Sequence, residues 1–263
     1  MNLNSLWIGG TLPPLQRLCL ASAVATGCPV RLFTYEDVDG IPEGVAVADA
    51  REVLGLDKLI RHRKSGSVAL FSDRFRYEII GLELGAWIDT DVLFLQAPEA
   101  AGDCLVGLED SKLVGSCFIW IKPGHPLIDD LRLHAADEYP IPGWYPLWRR
   151  TYLKLRKALG KPEHVSDHDW GVIGPNLLTW LLQQRGMFDD ARPVTWVSGL
   201  PWDERHNIWD GSYDWRRWIN SDTVGIHLWN YGLSQEERYR RPEPGSLLQT
   251  VADKCGFQWP TTS

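Results

Sequence analysis

Residues 86–95 read AWIDTDVLFL and place two aspartates inside a stretch that is otherwise as apolar as a buried β-strand. A carboxylate is costly to remove from water unless it is paired, hydrogen-bonded or bound to a metal ion. We predict that the strand ends near Ile88, that Asp89 and Asp91 lie in a turn at its carboxyl end, and that Val92 returns the chain to the core. Hard divalent cations prefer oxygen ligands and keep positions open for phosphate oxygens. The pair therefore predicts a metal site that binds a diphosphate, with an ordinary Asp-rich turn as the alternative.

The segment before the aspartates, FSDRFRYEIIGLELG at residues 71–85, predicts a helix with one apolar face. Ser72 is a favourable N-cap and Gly85 a favourable C-terminal stop, so we place the helix between them. Asp73 and Arg76 lie three residues apart and are neighbours on the side turned away from the sheet. Taken alone, they are typical of an exposed ion pair worth well under ~1 kcal/mol. The residues predicted to pack on the sheet are Phe75, Ile79 and Leu82.

The N-terminal part of the chain alternates between two kinds of segment. Residues 5–10 (SLWIGG) and 29–35 (PVRLFTY) predict strands, whereas residues 14–26 and 53–63 predict helices. Such alternation predicts an α/β fold, in which helices cover both faces of a mainly parallel sheet. Ligands bind beyond the carboxyl ends of the strands in these sheets, and both LWIGG and WIDTD fall at such an end.

Composition limits the class of protein. The 263 residues are 44% hydrophobic and 23% charged, which is ordinary for a globular chain, and we expect one domain spanning residues 1–263 because no linker divides it. The net charge of −7 argues against nucleic acid as a partner. Five scattered cysteines without a CxxC pair support neither a disulfide framework nor a structural zinc site. No secretory signal or membrane-spanning stretch is visible, so we expect a cytoplasmic location.

The central region resembles the sugar-binding D-x-D region of glycosyltransferases with an α-1,4-glycosyltransferase-like or initiating-mannosyltransferase-like core, related to the glucosylating bacterial toxins. That family typically has S-D-x-x-R-Y, a hydrophobic stretch, G-G-x-Y and D-x-D, where this chain has SDRFRYEIIGLELGAWIDTDV. Ala86 and Trp87 depart from the pattern, and we expect the bulky indole to tighten the donor pocket. Further similar segments follow in the family's order: LWIGG (6–10), SCFIWIKPGHPLI (116–128), GVIGPNLLTWLL (171–182) and GIHLWN (225–230).

The resemblance implies a GT-A fold and a metal-dependent, retaining glycosyltransferase. It would move a hexose from a nucleotide sugar, UDP-hexose in preference to GDP-mannose, to a hydroxyl of a glycan, a glycolipid or another acceptor. Asp89 and Asp91 would hold Mn²⁺ (or Mg²⁺) and the donor diphosphate, while Asp73 and Arg76 would bind the donor sugar's hydroxyls. Donor binding would occupy approximately residues 1–125, and the acceptor side and C-terminal closing segment approximately residues 126–263.

Five further residues acquire nucleotide or metal roles through the same resemblance. Trp7, with Ile8 beside it, would stack on the nucleotide base, although a core tryptophan is the other interpretation. His227 would complete the metal or diphosphate shell, and a structural histidine is the alternative. Trp229 would donate its indole N–H to a phosphate, and Asn230 could serve in the same place.

The acceptor side has one candidate residue. In SDHDWGVIGP (166–175), Asp169 is the predicted proton acceptor for the attacking hydroxyl. A helix-capping cluster is the alternative interpretation. If the leaving phosphate takes the proton, as the family's chemistry is often described, no protein base is required.

Residues 145–161, YPLWRRTYLKLRKALGK, combine a partial apolar stripe with many cations. Three interpretations stay open: peripheral contact with the inner face of an anionic membrane that carries a lipid-linked acceptor, contact with an acidic glycan, and a solvated helix that covers the active-site cleft. The predicted stripe is Leu147, Tyr152, Leu155 and Leu159. The surrounding cations are Arg149, Arg150, Lys154, Arg156 and Lys157.

Two other functions compete with sugar transfer. The 14 tryptophans would also suit a non-catalytic carbohydrate-binding or effector module. A haloacid-dehalogenase-type phosphatase also carries hydrophobic residues followed by D-x-D. Its motif normally opens the first strand, however, and needs a later lysine and a later Gly-Asp acidic motif, and no convincing acidic motif of that kind follows here.

Overall fold

Eight strands and seven α-helices make up the regular structure of residues 1–260, the part of the chain that this computed structural model describes. The strands are β1 (Leu3–Trp7), β2 (Val30–Thr34), β3 (Val45–Asp49), β4 (Ala86–Ile88), β5 (Val92–Phe94), β6 (Cys104–Leu108), β7 (Val114–Ile121) and β8 (Gly225–His227). The helices are α1 (Pro14–Ala25), α2 (Ala69–Gly81), α3 (Leu127–Ala136), α4 (Leu147–Ala158), α5 (Pro175–Gln184), α6 (Gln235–Tyr239) and α7 (Leu247–Cys255). Short 3₁₀ segments occupy several connections.

The central sheet has the strand order β3-β2-β1-β4-β7-β6. Its first four strands are parallel, whereas β7 runs antiparallel to both β4 and β6. From β1 the chain builds β2 and β3 on one side and later adds β4 on the other. Ligand crevices form where the strand order reverses in this way. The predicted α/β fold with a mainly parallel sheet is confirmed.

Helices cover both faces of the sheet because successive strand residues point to opposite sides. In β4, Trp87 belongs to the apolar cluster shared with α2, α3 and α5, while Ala86 and Ile88 belong to the cluster on the side of α1. A two-stranded antiparallel ribbon of β5 and β8 lies beside α1. This alternation buries both faces of the short strand that precedes the two aspartates.

The turn after β4 has the predicted form. The strand ends at Ile88, Asp89 and Asp91 occupy the connection, and β5 begins at Val92 and is fully buried. The first helix and the second strand lie where the sequence predicts them, as α1 and β2, whereas β1 overlaps the predicted strand at residues 5–7 and ends at Trp7.

Helix α2 differs from its predicted bounds at both ends. It begins at Ala69, whose N–H is accepted by the Ser67 hydroxyl at 3.1 Å, so Ser72 lies inside the helix and does not cap it. It ends at Gly81, before a left-handed residue, Glu83, with φ of 56°. Leu82 therefore lies beyond the helix and is 47% exposed, contrary to the prediction that it packs on the sheet.

The predicted helix over residues 53–63 is wrong. That region contains one 3₁₀ turn, Leu56–Lys58, which Gly55 precedes in an extended conformation (φ −71°, ψ 149°). Glycine loses more conformational freedom on entering a helix than any other residue. The apolar periodicity around Gly55 did not outweigh this cost, and no helix forms there.

Candidate functional site

A cavity of about 740 Å³ lies beyond the carboxyl ends of β1 and β4. This is the position at which the reversal of strand order predicts a ligand crevice. All predicted site residues except Asp169 line it. They are Trp7, Ile8, Asp73, Arg76, Asp89, Asp91, His227, Trp229 and Asn230.

The carboxylate of Asp89 is held by two donors on the same oxygen. Its Oδ1 accepts the indole N–H of Trp87 at 2.7 Å and a guanidinium N–H of Arg76 at 3.0 Å. Burial raises the pKa of Asp89 even though the Arg76 charge opposes the shift. The other oxygen, Oδ2, makes no hydrogen bond with residues 1–260, so it is free to ligate a cation.

Asp91 is held from the opposite end of the chain. Its Oδ2 accepts the backbone N–H of Asn230 at 2.8 Å and lies 3.4 Å from Nε2 of His227. The proximity arises because β5 and β8 pair with Val92 opposite His227. Burial raises the pKa of Asp91, but His227 and the Asn230 N–H outweigh it and hold the pKa below its ordinary value.

These three side chains fit a divalent cation. One ligand atom from each of Asp89, Asp91 and His227 lies within 4.8 Å of the other two. Nδ1 of His227 is buried and has no hydrogen-bond partner within the described part of the chain. Two carboxylates and an imidazole suit Mn²⁺ or another borderline-hard metal ion. The three metal ligands that the resemblance implies therefore lie close enough together to share one ion, and their role stays a prediction.

Asp73 and Arg76 form a buried ion pair beside this cluster. The closest nitrogen and oxygen are 3.0 Å apart, and each side chain is only 6% exposed. The interpretation as an exposed surface pair is therefore wrong, because α2 turns both residues toward the cavity. Burial raises the pKa of Asp73 to about 6, although the Arg76 charge opposes the shift. Arg76 thus bridges Asp73 and Asp89 with its two terminal nitrogens.

The glycine at the start of α5 lets that helix approach Asp73. A Cβ atom built on Gly174 would lie 2.6 Å from Oδ1 of Asp73, closer than real Cβ contacts permit. The Tyr77 hydroxyl donates to the Gly174 carbonyl at 3.2 Å and ties α2 to the same point. The Gly-Pro pair seen in the sequence therefore has a packing reason: a larger residue would displace Asp73.

Of the predicted nucleotide-binding residues, Trp229 needs a correction. Its indole N–H donates to the Leu200 carbonyl at 2.8 Å, so the predicted donation to a phosphate is not available. Its ring lies against His227, with centroids 4.2 Å apart, and supports that side chain. Trp7 is half-buried, and its buried indole N–H has no hydrogen-bond partner within residues 1–260. The side-chain oxygen of Asn230 accepts from Gln16 at 2.8 Å.

Asp169 lies outside the cavity. Its carboxylate is 61% exposed and accepts a hydrogen bond of 2.6 Å from Arg149 of α4, which holds the pKa of Asp169 below its ordinary value. A base must reach the attacking hydroxyl, and this geometry gives Asp169 no such contact. The interpretation of α4 as a cover for the cleft is also corrected, because no residue of α4 lines the cavity.

Several lining residues were missed by the sequence analysis. Glu109 follows β6 and adds a fourth carboxylate to the cavity, and burial raises its pKa. Trp170 and Tyr231 form an exposed aromatic rim, with ring centroids 4.7 Å apart. A single glutamate in a hairpin carries no recognisable pattern. The rim had only the high tryptophan content as a signal.

No protein-family model matches this chain, and neither does any curated protein. The solved structures that are similar to it include the following two. One is the PaToxG glycosyltransferase, at 15% identity over 70% of this chain and 68% of that one, with a TM-score of 0.43. The other is the galactosyltransferase LgtC in complex with donor and acceptor sugar analogs, at 8% identity over 100% of this chain and 98% of that one, with a TM-score of 0.43. Both are glycosyltransferases, but these identities are too low to transfer the role of any residue.

Proposed function

We propose that the protein is a metal-dependent glycosyltransferase of the GT-A type that transfers a hexose from a nucleotide sugar, UDP-hexose in preference to GDP-mannose, to a hydroxyl acceptor. The observation that carries this proposal is the position of Arg76. It connects Asp73 to Asp89 inside one cavity, next to the partners Asp91 and His227. A cation site alone suits many reactions, whereas a buried Asp–Arg pair beside it also suits the hydroxyl groups of a sugar.

In this proposal each group has a separate task. Asp89, Asp91 and His227 hold Mn²⁺ or Mg²⁺, which when bound stabilises the charge that develops on the leaving diphosphate. Asp73 accepts hydrogen bonds from hydroxyl groups of the donor sugar, and Arg76 fixes the positions of Asp73 and Asp89 relative to each other. Trp7 lies at the end of β1, where its ring can stack on the base. Trp170 and Tyr231 offer flat apolar faces to the acceptor at the rim.

The proposed transfer breaks the bond between the anomeric carbon and the diphosphate oxygen and forms a bond to the acceptor oxygen. The acceptor's proton goes to the released diphosphate, so no protein base is required. Retention of anomeric configuration rests on the resemblance to the α-1,4-glycosyltransferase-like and mannosyltransferase-like family, and that family assignment is part of the proposal.

Thermal-shift measurements with UDP-glucose, UDP-galactose, UDP-N-acetylglucosamine and GDP-mannose, each with and without Mn²⁺, test the proposal. One donor should stabilise the protein only when Mn²⁺ is present. Asp91→Asn should abolish this effect, because the amide retains the bond to the Asn230 N–H and loses the charge. The matched control is Asp129→Asn, an exposed aspartate of α3, which should behave as the wild type.

Three outcomes would contradict parts of this proposal. Stabilisation by free sugars and by no nucleotide would favour a carbohydrate-binding or effector module. Release of phosphate from generic phosphate esters would favour a phosphatase. Donor binding that is equal in wild type and Asp91→Asn would remove the assigned metal role of this aspartate.

A further inference from the structure

Helix α4 presents a line of large apolar side chains to solvent. Its one buried side chain is Leu153, which attaches the helix to the rest of the fold. The exposed residues follow a spacing of four, three and four, which places them on one side of a helix. They are Trp148 (71% exposed), Tyr152 (50%), Leu155 (58%) and Leu159 (68%). We call this set the α4 stripe. Leu147, predicted as a member, is exposed but lies about 100° round the helix from it.

The charged residues of the α4 segment itself are all of one sign. Residues 145–161 contain six arginines and lysines and no acidic residue, in a chain whose net charge is −7. Two of these cations have partners: Arg149 pairs with Asp169, and Arg156 lies 3.5 Å from Glu163. The other four make no ion pair with the residues that the structure describes. They are Arg150, Lys154, Lys157 and Lys161.

The exposed apolar side chains and the positive charge of the helix together restrict which kind of surface can bind the α4 stripe. A second copy docked through the same helix would bring two basic segments together, which like-charge repulsion opposes. An anionic lipid surface satisfies both features, since its acyl region accepts the apolar side chains and its headgroups attract the cations. A helix is about 10 Å across, about one Debye length at 0.1 M salt, so cations on its far side still contribute. Tryptophan and tyrosine are also the residues that favour the boundary between lipid and water.

Helix α4 is physically connected to the cavity rim. The Arg149 side chain bonds Asp169, and the next residue along the chain, Trp170, lines the cavity and contacts Tyr231. The first turn of α4 is therefore bound to Asp169, the residue next to Trp170 of the rim. A surface that binds the α4 stripe would lie close to this rim.

We propose that the α4 stripe is a peripheral docking surface for an anionic lipid bilayer. Docking places the helix parallel to the membrane plane, with Trp148 and Leu155 in the headgroup boundary, while the cations on the far side of the helix add longer-range attraction to the anionic headgroups. No helix within residues 1–260 is both long enough and apolar enough to span a bilayer. The proposed contact lies outside the cavity and does not depend on the proposed sugar transfer.

Sedimentation with vesicles tests this surface. One vesicle preparation is phosphatidylcholine alone, and the other is an equimolar mixture of phosphatidylcholine and phosphatidylglycerol. The wild type should bind the anionic vesicles at least roughly tenfold more tightly than the neutral ones, and high salt should weaken this binding. The double substitution Leu155→Gln and Leu159→Gln should reduce the affinity for anionic vesicles by roughly tenfold or more, because it removes the apolar contact.

The matched control is Leu133→Gln, which replaces a leucine that is 70% exposed on α3 and distant in sequence from the stripe. It should leave vesicle binding unchanged, and circular dichroism should show all variants folded. A wild type that does not bind anionic vesicles would overturn the proposal. So would equal binding by the stripe variant, or stripe-dependent dimers in analytical ultracentrifugation without any vesicle binding.

Discussion

The indole N–H of Trp87 donates a 2.7 Å hydrogen bond to Oδ1 of Asp89, two residues along the chain. The Trp87 side chain is almost fully buried, and the Arg76 guanidinium lies over its ring, 5.3 Å from the centroid. A bulky residue at this position had suggested a tighter donor pocket. That effect on the pocket stays a prediction. The observed contact adds a positioning role for Trp87, which turns one oxygen of Asp89 toward the protein and leaves the other for a cation.

Trp87→Phe keeps the aromatic volume and removes this donor. Substitution of a group that orients a metal ligand typically lowers the metal affinity by about 10–100-fold. We therefore expect Mn²⁺ to bind the variant roughly tenfold more weakly than the wild type. Calorimetric titration of Mn²⁺ measures the change. Trp180→Phe is the matched control, since the indole N–H of Trp180 makes no hydrogen bond with the described residues. Equal Mn²⁺ affinities of the Trp87 variant and the wild type would exclude the positioning role.

Arg76→Met leaves the buried carboxylate of Asp73 and the partly buried carboxylate of Asp89 without their shared partner. Breaking a buried ion pair by removing one member costs about 3–5 kcal/mol, so we expect a loss of that order in the free energy of unfolding. Adding Asp73→Asn to this variant should recover part of the loss, because one uncompensated carboxylate disappears. Urea denaturation of the single and double variants measures the coupling, and strictly additive effects would contradict the pairing of Asp73 with Arg76.

The raised pKa of Asp73 predicts a specific pH dependence. Its carboxyl has a pKa of about 6 in the folded protein and about 3.9 in an unfolded chain. The folded state therefore binds the proton more tightly than the unfolded state does. The resulting contribution to the free energy of unfolding is complete below about pH 4 and is lost as the pH rises through about 6. On going from about pH 7 to about pH 5, the unfolding free energy of the wild type should rise by about 1 kcal/mol relative to Asp73→Asn. An unchanged or falling difference would contradict the assignment.

Gly174→Ala tests the close approach of α5 to Asp73. The added Cβ atom would lie 2.6 Å from the carboxylate, so either the helix start or Asp73 must move. Overpacking of this kind typically costs about 1–3 kcal/mol, and we expect donor-dependent stabilisation to weaken as well. Gly10→Ala is the matched control, because its added Cβ atom would meet nothing closer than 4.0 Å. Thermal unfolding with and without the donor distinguishes loss of stability from loss of binding.

Local patterns sufficed for part of the fold. The alternation of strands and helices in the first 35 residues predicted β1, α1 and β2. The cost of burying charge predicted a strand end at Ile88. Both inferences use neighbours a few residues apart, where periodicity and capping are informative. The helix predicted over residues 53–63 is wrong, because Gly55 disfavours a helix more than the apolar spacing around it favours one.

The candidate site was likewise predictable from the sequence in one part and not in the other. The sequence by itself determined that Asp89 and Asp91 end a buried strand and that Asp73 and Arg76 share one helix. Only the tertiary structure decided that Arg76 bridges the two aspartates on either side of it, that His227 faces Asp91, and that Glu109 and the aromatic rim join the cavity. It also placed Asp169 outside. The physical reason is that strand pairing and helix packing bring together residues of different elements, some of them more than a hundred positions apart, and no local period records which side chains will meet there.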